Sequence, residues 1–313
     1  MRKQKTIGQT GPNAHLWKRI KNYRYFYLML LPVLVWYIMF HYVPIYGIVM
    51  AFKDFSFAKG YAGSAWVGLK HFKALLADPY FLRAFRNTVI ISLYRVIFCC
   101  SFEIIVALLL NEVRVRWFRK PVQTILYIPH FLSWVIVASI FLTFLSPERG
   151  ILRPIAALLS VKTPTPLTTA SQFRAILITT AMWKETGFGT ILYIAAIAGI
   201  DPGLYEAAVI DGANRLQQLR YVTLPGIKST IVTLFILNLG QCLKWGFDEV
   251  YNMYNRLVYD TGDIVDTFIV RTAMADNRYS YAAAAGFLMS TMCMIILLTA
   301  NKVMKKVAGH SIY

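Results

Sequence analysis

Long apolar runs separated by short polar segments set the pattern of the chain. Six runs stand out, at about 25–50, 87–110, 124–145, 175–200, 229–247 and 282–301. A helix needs about 20 mostly apolar residues to cross a bilayer, and each run comes close to or exceeds that length. They are continuous stretches, not ten-residue strands of alternating polarity, so they predict an all-α membrane protein with six transmembrane helices and not a β-barrel. The first, YFYLMLLPVLVWYIMFHYVPIYGIVMAF, follows a basic tail (1–24). Its apolar part is too long for a signal peptide and no small-residue cleavage site follows, which makes it a retained span. SPERGILRPIAALLSVKTPTPLTTA reads as irregular from its Pro and Thr content, whereas TGDIVDTFIVRTAM suits a short helix. The membrane-embedded body extends over 25–301, with a basic tail at 302–313. No internal repeat is visible.

Composition agrees with this pattern. The chain is 57% hydrophobic and 15% charged, against about 25% charged residues in a soluble domain. Its net charge of +18 bears on topology before it bears on nucleic acid, to which we assign no role. With both ends on the cytoplasmic side, the inner segments hold 17 Lys/Arg and the outer loops 13. Short, dense basic segments, including NEVRVRWFRKP, decide the orientation, because long loops follow the positive-inside rule poorly. Their basic faces meet the lipid headgroups. Cys99, Cys100, Cys242 and Cys293 lie in the spans without a C-x-x-C spacing and read as small apolar residues.

Between the fourth and fifth runs, DPGLYEAAVIDGANRLQQLRYVTLPGI (201–227) is polar. Asp201-Pro202 is a helix-start signal. Gly212 offers the positive φ of a tight turn, and ANRLQQLRYV follows as a second short helix with Leu216, Leu219 and Val222 on one face. Leu224-Pro225 should end it, since proline disfavours helix in the residue before it. On chemistry alone this helix-turn-helix either docks another protein, through small residues and through Glu206, Asp211, Arg215 and Arg220, or lies on lipid as an interfacial loop.

Glu206-Ala207-Ala208, then Gly212, then Val222 and Leu224-Pro225 reproduce the spacing E-A-A-x3-G-x9-I-x-L-P, with valine in place of isoleucine. This resembles the EAA motif of ABC importer permeases, and Asp211 and Ala213 are similar to its sugar-importer version. FHYVPIYGIVMAFKDF, WVGLKHF, FRNTVIISL, YIPHFLSW and YDTGDIVDTFIVR resemble the LplB-type branch, which serves complex sugars and oligosaccharides. The resemblance implies a MetI-like fold with a five-helix core and an extra first helix. It implies a multi-pass protein of the bacterial inner membrane. It also implies partners: two copies of an ATPase, a second permease, and an extracytoplasmic solute-binding protein. The 201–227 segment would be the coupling element, seated in a groove of the ATPase and contacting it through Glu206. ATP and magnesium would be bound by those partners and no cofactor by this chain, which carries no G-x-x-x-x-G-K-[ST] phosphate loop. His15, His41, His71, His130 and His310 are scattered, with no metal-ligand spacing, and no hydrolase motif appears, so the chain does not read as an enzyme.

Charges within spans are costly, so Arg95, Glu103, Lys184, Glu185 and Lys244 should face the bundle interior or an interface. Arg95 and Glu103 are eight apart and each needs a partner elsewhere. Lys184-Glu185 beside Gly187 and Gly189 suggests either a broken helix at the membrane midplane, as in transport sites, or a kink with a packing ion pair. A sugar substrate needs aromatic faces and hydrogen-bonding side chains. Trp134, Trp183, Asn238 and Gln241 are the candidates, while Tyr127 and Trp245 suit the interfacial aromatic belt. Asn238 and Gln241 equally suit hydrogen bonding between helices. Two other readings differ by what they need: an ion-coupled secondary transporter would use Glu103 and Glu185, and a membrane enzyme would use Asp260, Asp263 and Asp266.

Overall fold

In the computed structural model, residues 22–113, 115–161, 163–241 and 246–308 are described. Helix dominates. Helix α1 (Arg24–Phe52) lies along the outside and leads into a two-residue antiparallel ribbon, β1 (Lys53–Asp54) with β2 (Ala65–Trp66). Helix α2 (Lys70–Ala77) precedes α3 (Pro79–Glu112), the longest element. Helix α4 (Arg116–Tyr127) and α5 (Trp134–Phe144) follow, then α6 (Leu152–Leu158) and α7 (Ala170–Ala198). Helix α8 (Pro202–Ile210) and the helical segment α9 (Arg215–Gly226) form the polar insertion. Helices α10 (Lys228–Gln241), α11 (Phe247–Met253), α12 (Val265–Met274) and α13 (Tyr279–Ala308) complete the chain.

Three helices, α1, α3 and the 279–302 part of α13, are long and apolar enough to cross a bilayer alone. Three bent pairs bring the number to six if each is one crossing: α4 with α5 (103°), α7 with α8 (69°) and α9 with α10 (59°). The predicted run 124–145 is therefore not one straight helix. It breaks at Ile128–Phe131, a 3₁₀ turn, and Leu132 and Ser133 are extended. Pro129 lacks the N–H a helix would need there. The Ser133 hydroxyl then caps α5 by accepting from the Ile136 N–H at 3.4 Å. The Pro- and Thr-rich stretch, expected to be irregular, contains α6. TGDIVDTFIVRTAM does form a helix, α12. The run predicted as 229–247 is helical as far as Gln241. Cys242, Lys244 and Trp245 lie outside the described residues, as do His15, His310 and most of the two basic tails.

Two Asp-Pro steps start helices in the same way. Asp78 caps α3 by accepting from the Tyr80 N–H at 2.9 Å, and Asp201 caps α8 by accepting from the Gly203 N–H at 2.9 Å. In each, proline takes the first helical position, where no N–H is needed. At 1.5 Å per residue α3 is roughly 50 Å long, well beyond the hydrocarbon thickness of about 30 Å.

Helices α3 and α7 pack along their length and form the spine. Three apolar clusters surround it. At the end remote from the 201–227 insertion, Phe81, Ala84, Phe268 and Tyr281 join α3, α12 and α13. Ile91, Phe173, Leu177 and Val250 join α3, α7 and α11. At the insertion end, Ala107, Tyr193, Ile197 and Ile227 join α3, α7 and the start of α10. Helix α1 is different: its apolar side chains from Tyr25 to Tyr46 are exposed all round. A helix apolar on every face belongs in lipid or against another apolar surface.

Candidate functional site

The 201–227 insertion folds as two helices joined by a tight turn. Helix α8 closes with a Schellman motif: the Ala213 N–H donates to the Ala208 carbonyl at 2.8 Å and the Gly212 N–H to the Val209 carbonyl at 3.0 Å. Gly212 supplies the left-handed residue this motif requires, with φ +78°. Asn214 then opens the second helix through a reciprocal capping box with Gln217. Contrary to the sequence expectation, Leu224-Pro225 does not end the helix. A π-helical turn at Leu219–Thr223 leads directly into Leu224–Gly226, and Pro225 sits in that first turn. The wider turn shifts the backbone register, which accommodates the absent proline N–H. The chain bends only after Gly226. Leu219 and Val222 are half-buried, but Leu216 is turned outward, so the three expected on one face are divided.

The Arg215 guanidinium ties this unit to the spine by meeting the Glu112 carboxylate at the end of α3 at 3.0 Å, and the Tyr205 and Thr223 hydroxyls, 2.9 Å apart, join its two helices to each other. Glu206, Ala207 and Asp211 are exposed. Around them Ile210 is 85% exposed, Leu216 74% and Tyr221 68%. A polar segment that presents three large apolar side chains outward is built to be covered.

The second site is a cavity of about 510 Å³ inside the bundle, within the range of about 300–1,000 Å³ usual for small-molecule pockets. Arg95, Cys99 and Glu103 of α3, His130 and Trp134 at the α4–α5 break, and Glu185, Phe188 and Gly189 of α7 form much of its wall. Asn238 of α10 and Phe247 and Asp248 of α11 complete it.

The break anticipated beside Gly187 and Gly189 is absent from α7; the broken backbone lies in the segment packed against it, at 128–133. Helix α7 is continuous, and its two glycines are points of close approach. A Cβ on Gly187 would overlap the Leu126 carbonyl of α4, and one on Gly189 would overlap the Glu103 carboxyl group. The opened backbone at 128–133 thus fits against α7. Non-helical backbone at membrane depth persists where it is buried in protein or lines a cavity, and here it does both. Lys184, 5% exposed, donates to the freed His130 carbonyl at 2.7 Å. Glu185 lies 3.3 Å from the Lys184 ammonium and 2.7 Å from His130 Nδ1. The His130 ring stacks on Phe188 at 4.1 Å between centroids.

Arg95 finds its partner in Glu249, which is 1% exposed, at 2.8 Å. Thr180 of α7 donates to the other Glu249 oxygen. This pair joins α3, α7 and α11. Sequence reasoning missed Glu249, which falls in a stretch read as loop and lies 154 residues from Arg95. Trp134 stands beneath both cations, 5.6 Å from Arg95 and 5.3 Å from Lys184. Of the predicted pathway residues, Trp134, Glu185 and Asn238 line the cavity. Lys184 lies behind it, holding the break. Trp183 is directed away, edge-on to Phe141 at 5.5 Å. The side chain of Gln241 lies outside the described residues. Asn238 donates to the Cys100 sulfur at 3.1 Å, an interhelical bond, while still facing the cavity.

The acids proposed for a membrane enzyme have structural partners. Asp263 is fully buried and receives two bonds from Arg271, at 3.0 and 2.7 Å. Those bonds raise the affinity of the Arg271 guanidinium for its proton. Asp260 pairs with Arg83 at 2.5 Å. Asn87, fully buried, donates towards the carbonyls of Tyr259, Asp260 and Asp263. The segment 259–263 is therefore clamped to α3.

A bent six-span bundle, a cavity at its helix break and an EAA helix pair at one end define a transport permease component, not a catalytic subunit. The chain belongs to the binding-protein-dependent transport system inner membrane component family, whose model matches residues 103–308. It is 40% identical over 290 residues to the polygalacturonan/rhamnogalacturonan transport system permease protein YteP of Bacillus subtilis, covering 93% of this chain and 90% of that one. It is 39% identical to LplB of the same organism over 287 residues, 92% and 90% of the two chains. Among solved structures, a chain of a bacterial ABC transporter involved in import of the acidic polysaccharide alginate superposes with a TM-score of 0.87 at 39% identity, over 94% of this chain and 99% of that one.

Proposed function

We propose that this chain is one of two permease subunits of an ATP-driven importer that takes an oligosaccharide from an extracytoplasmic binding protein. It sits in a bacterial inner membrane with both termini cytoplasmic. The observation that carries the coupling role is the exposed Ile210, Leu216 and Tyr221 on a helix pair tied to the spine. Two copies of a separate ATPase hold ATP and magnesium. One of them grips this pair, with Glu206 at the contact. Closure of the ATPase dimer moves α8 and α9. Helix α7 continues into α8 around a bend, and Arg215 ties α9 to α3 through Glu112. Helices α3 and α7 are also the walls of the cavity, so the movement reaches Glu103, Glu185 and Phe188. Alternating access follows, and the permease forms no covalent intermediate.

The test is affinity purification of the tagged chain from mildly solubilised membranes, with partners identified by mass spectrometry, for wild type and Glu206→Lys. An ATPase and a second permease should accompany the wild type, and the ATPase should be lost in the variant. A stable homo-oligomer without an ATPase would contradict the proposal and return Glu103 and Glu185 to consideration as ion sites.

A further inference from the structure

Among the described residues, Glu103 is the buried acid of the cavity that the packing of the chain leaves available. Arg95 is engaged by Glu249, and Glu185 by Lys184 and His130. Glu103 is 8% exposed and lines the cavity, yet among the described residues its carboxyl group has no hydrogen-bond or ion-pair partner. Its place is nonetheless fixed. It rests on Gly189, where any side chain would displace it. One helical turn beyond Gly189, on the same face of α7, the Tyr193 hydroxyl is buried and also lacks a partner among the described residues. A buried carboxyl group without a bond carries a large cost unless something completes it. A positioned but uncompleted acid is what a ligand site requires.

Resting on the importer reading above, we propose that Glu103 is the specificity-determining residue of the cavity, receiving the hydroxyl groups of an uncharged sugar. The two carboxyl oxygens accept from neighbouring hydroxyls of one ring. Asn238 lies on the wall formed by α10, and Trp134, Phe188 and Phe247 supply aromatic surface for the apolar faces of sugar rings. A uronate would instead bring a charge that the site does not answer, because Arg95 is engaged by Glu249 and Lys184 by Glu185. Asp248 on the same wall repels it further. This chain is therefore suited to neutral rings, unlike the similar solved transporter involved in the import of the acidic polysaccharide alginate.

The experiment is uptake of labelled short oligosaccharides by cells carrying the chain at its native locus. One series is neutral (glucose-, xylose- and mannose-based) and the other is oligogalacturonate. Wild type, a deletion, Glu103→Gln and Glu103→Arg are compared, and co-purification of partners establishes assembly of each variant. Wild-type cells should take up a neutral member and deletion cells should not. Glu103→Gln keeps the shape that packs on Gly189 and should lower that uptake roughly tenfold, the effect of losing one hydrogen bond to a bound ligand. Glu103→Arg should abolish it and admit oligogalacturonate if the variant assembles. Chain-dependent uptake of oligogalacturonate at a rate equal to or above every neutral sugar would overturn the inference and leave the importer reading standing. So would unchanged neutral uptake in Glu103→Gln. If deletion alters no sugar uptake at all, the sugar-importer reading fails and the inference fails with it.

Discussion

The ammonium of Lys184 donates to the main-chain carbonyl of His130 at 2.7 Å, and in doing so it completes a break in the helical backbone that faces the cavity. Lysine is at this buried position because a carbonyl released from helical bonding needs a donor, and water is scarce at that depth. The break and the cation are parts of one feature. Removing the donor should cost about 1–3 kcal/mol, the penalty for a buried polar group left unsatisfied. Lys184→Met should therefore lower the thermal unfolding midpoint of the purified protein and slow transport, whereas Lys184→Arg should retain most of both. Equal midpoints for Lys184→Met and wild type would show that the His130 carbonyl has another donor.

The Arg95–Glu249 pair ties α3 to α11 across the bundle. Removal of one partner leaves an uncompensated buried charge, at a cost of about 3–5 kcal/mol, while replacing both with apolar residues is often close to neutral. Arg95→Met and Glu249→Leu should each reduce the yield of folded protein severely, and the double variant should recover much of it. A double-mutant cycle on thermal stability reads the coupling. Additive losses would contradict a direct pair.

Gly187 lets α4 approach α7, and Gly47 offers a control because a Cβ there meets only the Tyr61 hydroxyl, at 4.0 Å. Gly187→Ala forces the Leu126 backbone away from α7 and should destabilise the fold by roughly 1–3 kcal/mol, as overpacking does. Gly47→Ala should be nearly neutral. The comparison is made by fluorescence-detected size exclusion after a temperature series, and similar profiles for the two variants would contradict the close approach.

Gly212 has open space around it, so the consequence of a substitution there comes from its φ of +78°. A side chain in the left-handed region costs about 1–2 kcal/mol, less for Asp or Asn. That is too little to unfold the protein. Gly212→Asp should insert and assemble, yet lose import because the turn and its charge disturb the coupling contact. ATP hydrolysis and uptake measured together in reconstituted vesicles would read the uncoupling. Normal import and normal hydrolysis would remove Gly212 from the coupling element.

Much of this was legible in the sequence because local rules decide it. The six runs reflect bilayer thickness, and Asp201-Pro202 and Gly212 mark a helix start and a left-handed turn with their own chemistry. The parts not legible depend on distant residues. Nothing local distinguishes a glycine that breaks a helix from one that admits a neighbour, so Gly187 and Gly189 suggested a broken α7, whereas Pro129 broke the segment packed against it. Glu249 read as a loop acid because its partner, Arg95, is remote in sequence. Trp183 and Trp134 carry the same aromatic chemistry, and only the bend between α4 and α5 directs Trp134 into the cavity. Leu224-Pro225 looked like a helix end because a π-turn cannot be read from composition.

The central claim is that the outward apolar face of the 201–227 helix pair is covered by an ATPase and not by lipid. A photoreactive amino acid placed at Ile210, activated in native membranes and followed by mass spectrometry of the adduct, tests it most directly. Met29 on α1, itself exposed, serves as the comparison position. The account predicts an ATPase adduct from position 210 and none from position 29. Lipid adducts alone from position 210 would contradict it and make the segment an interfacial loop.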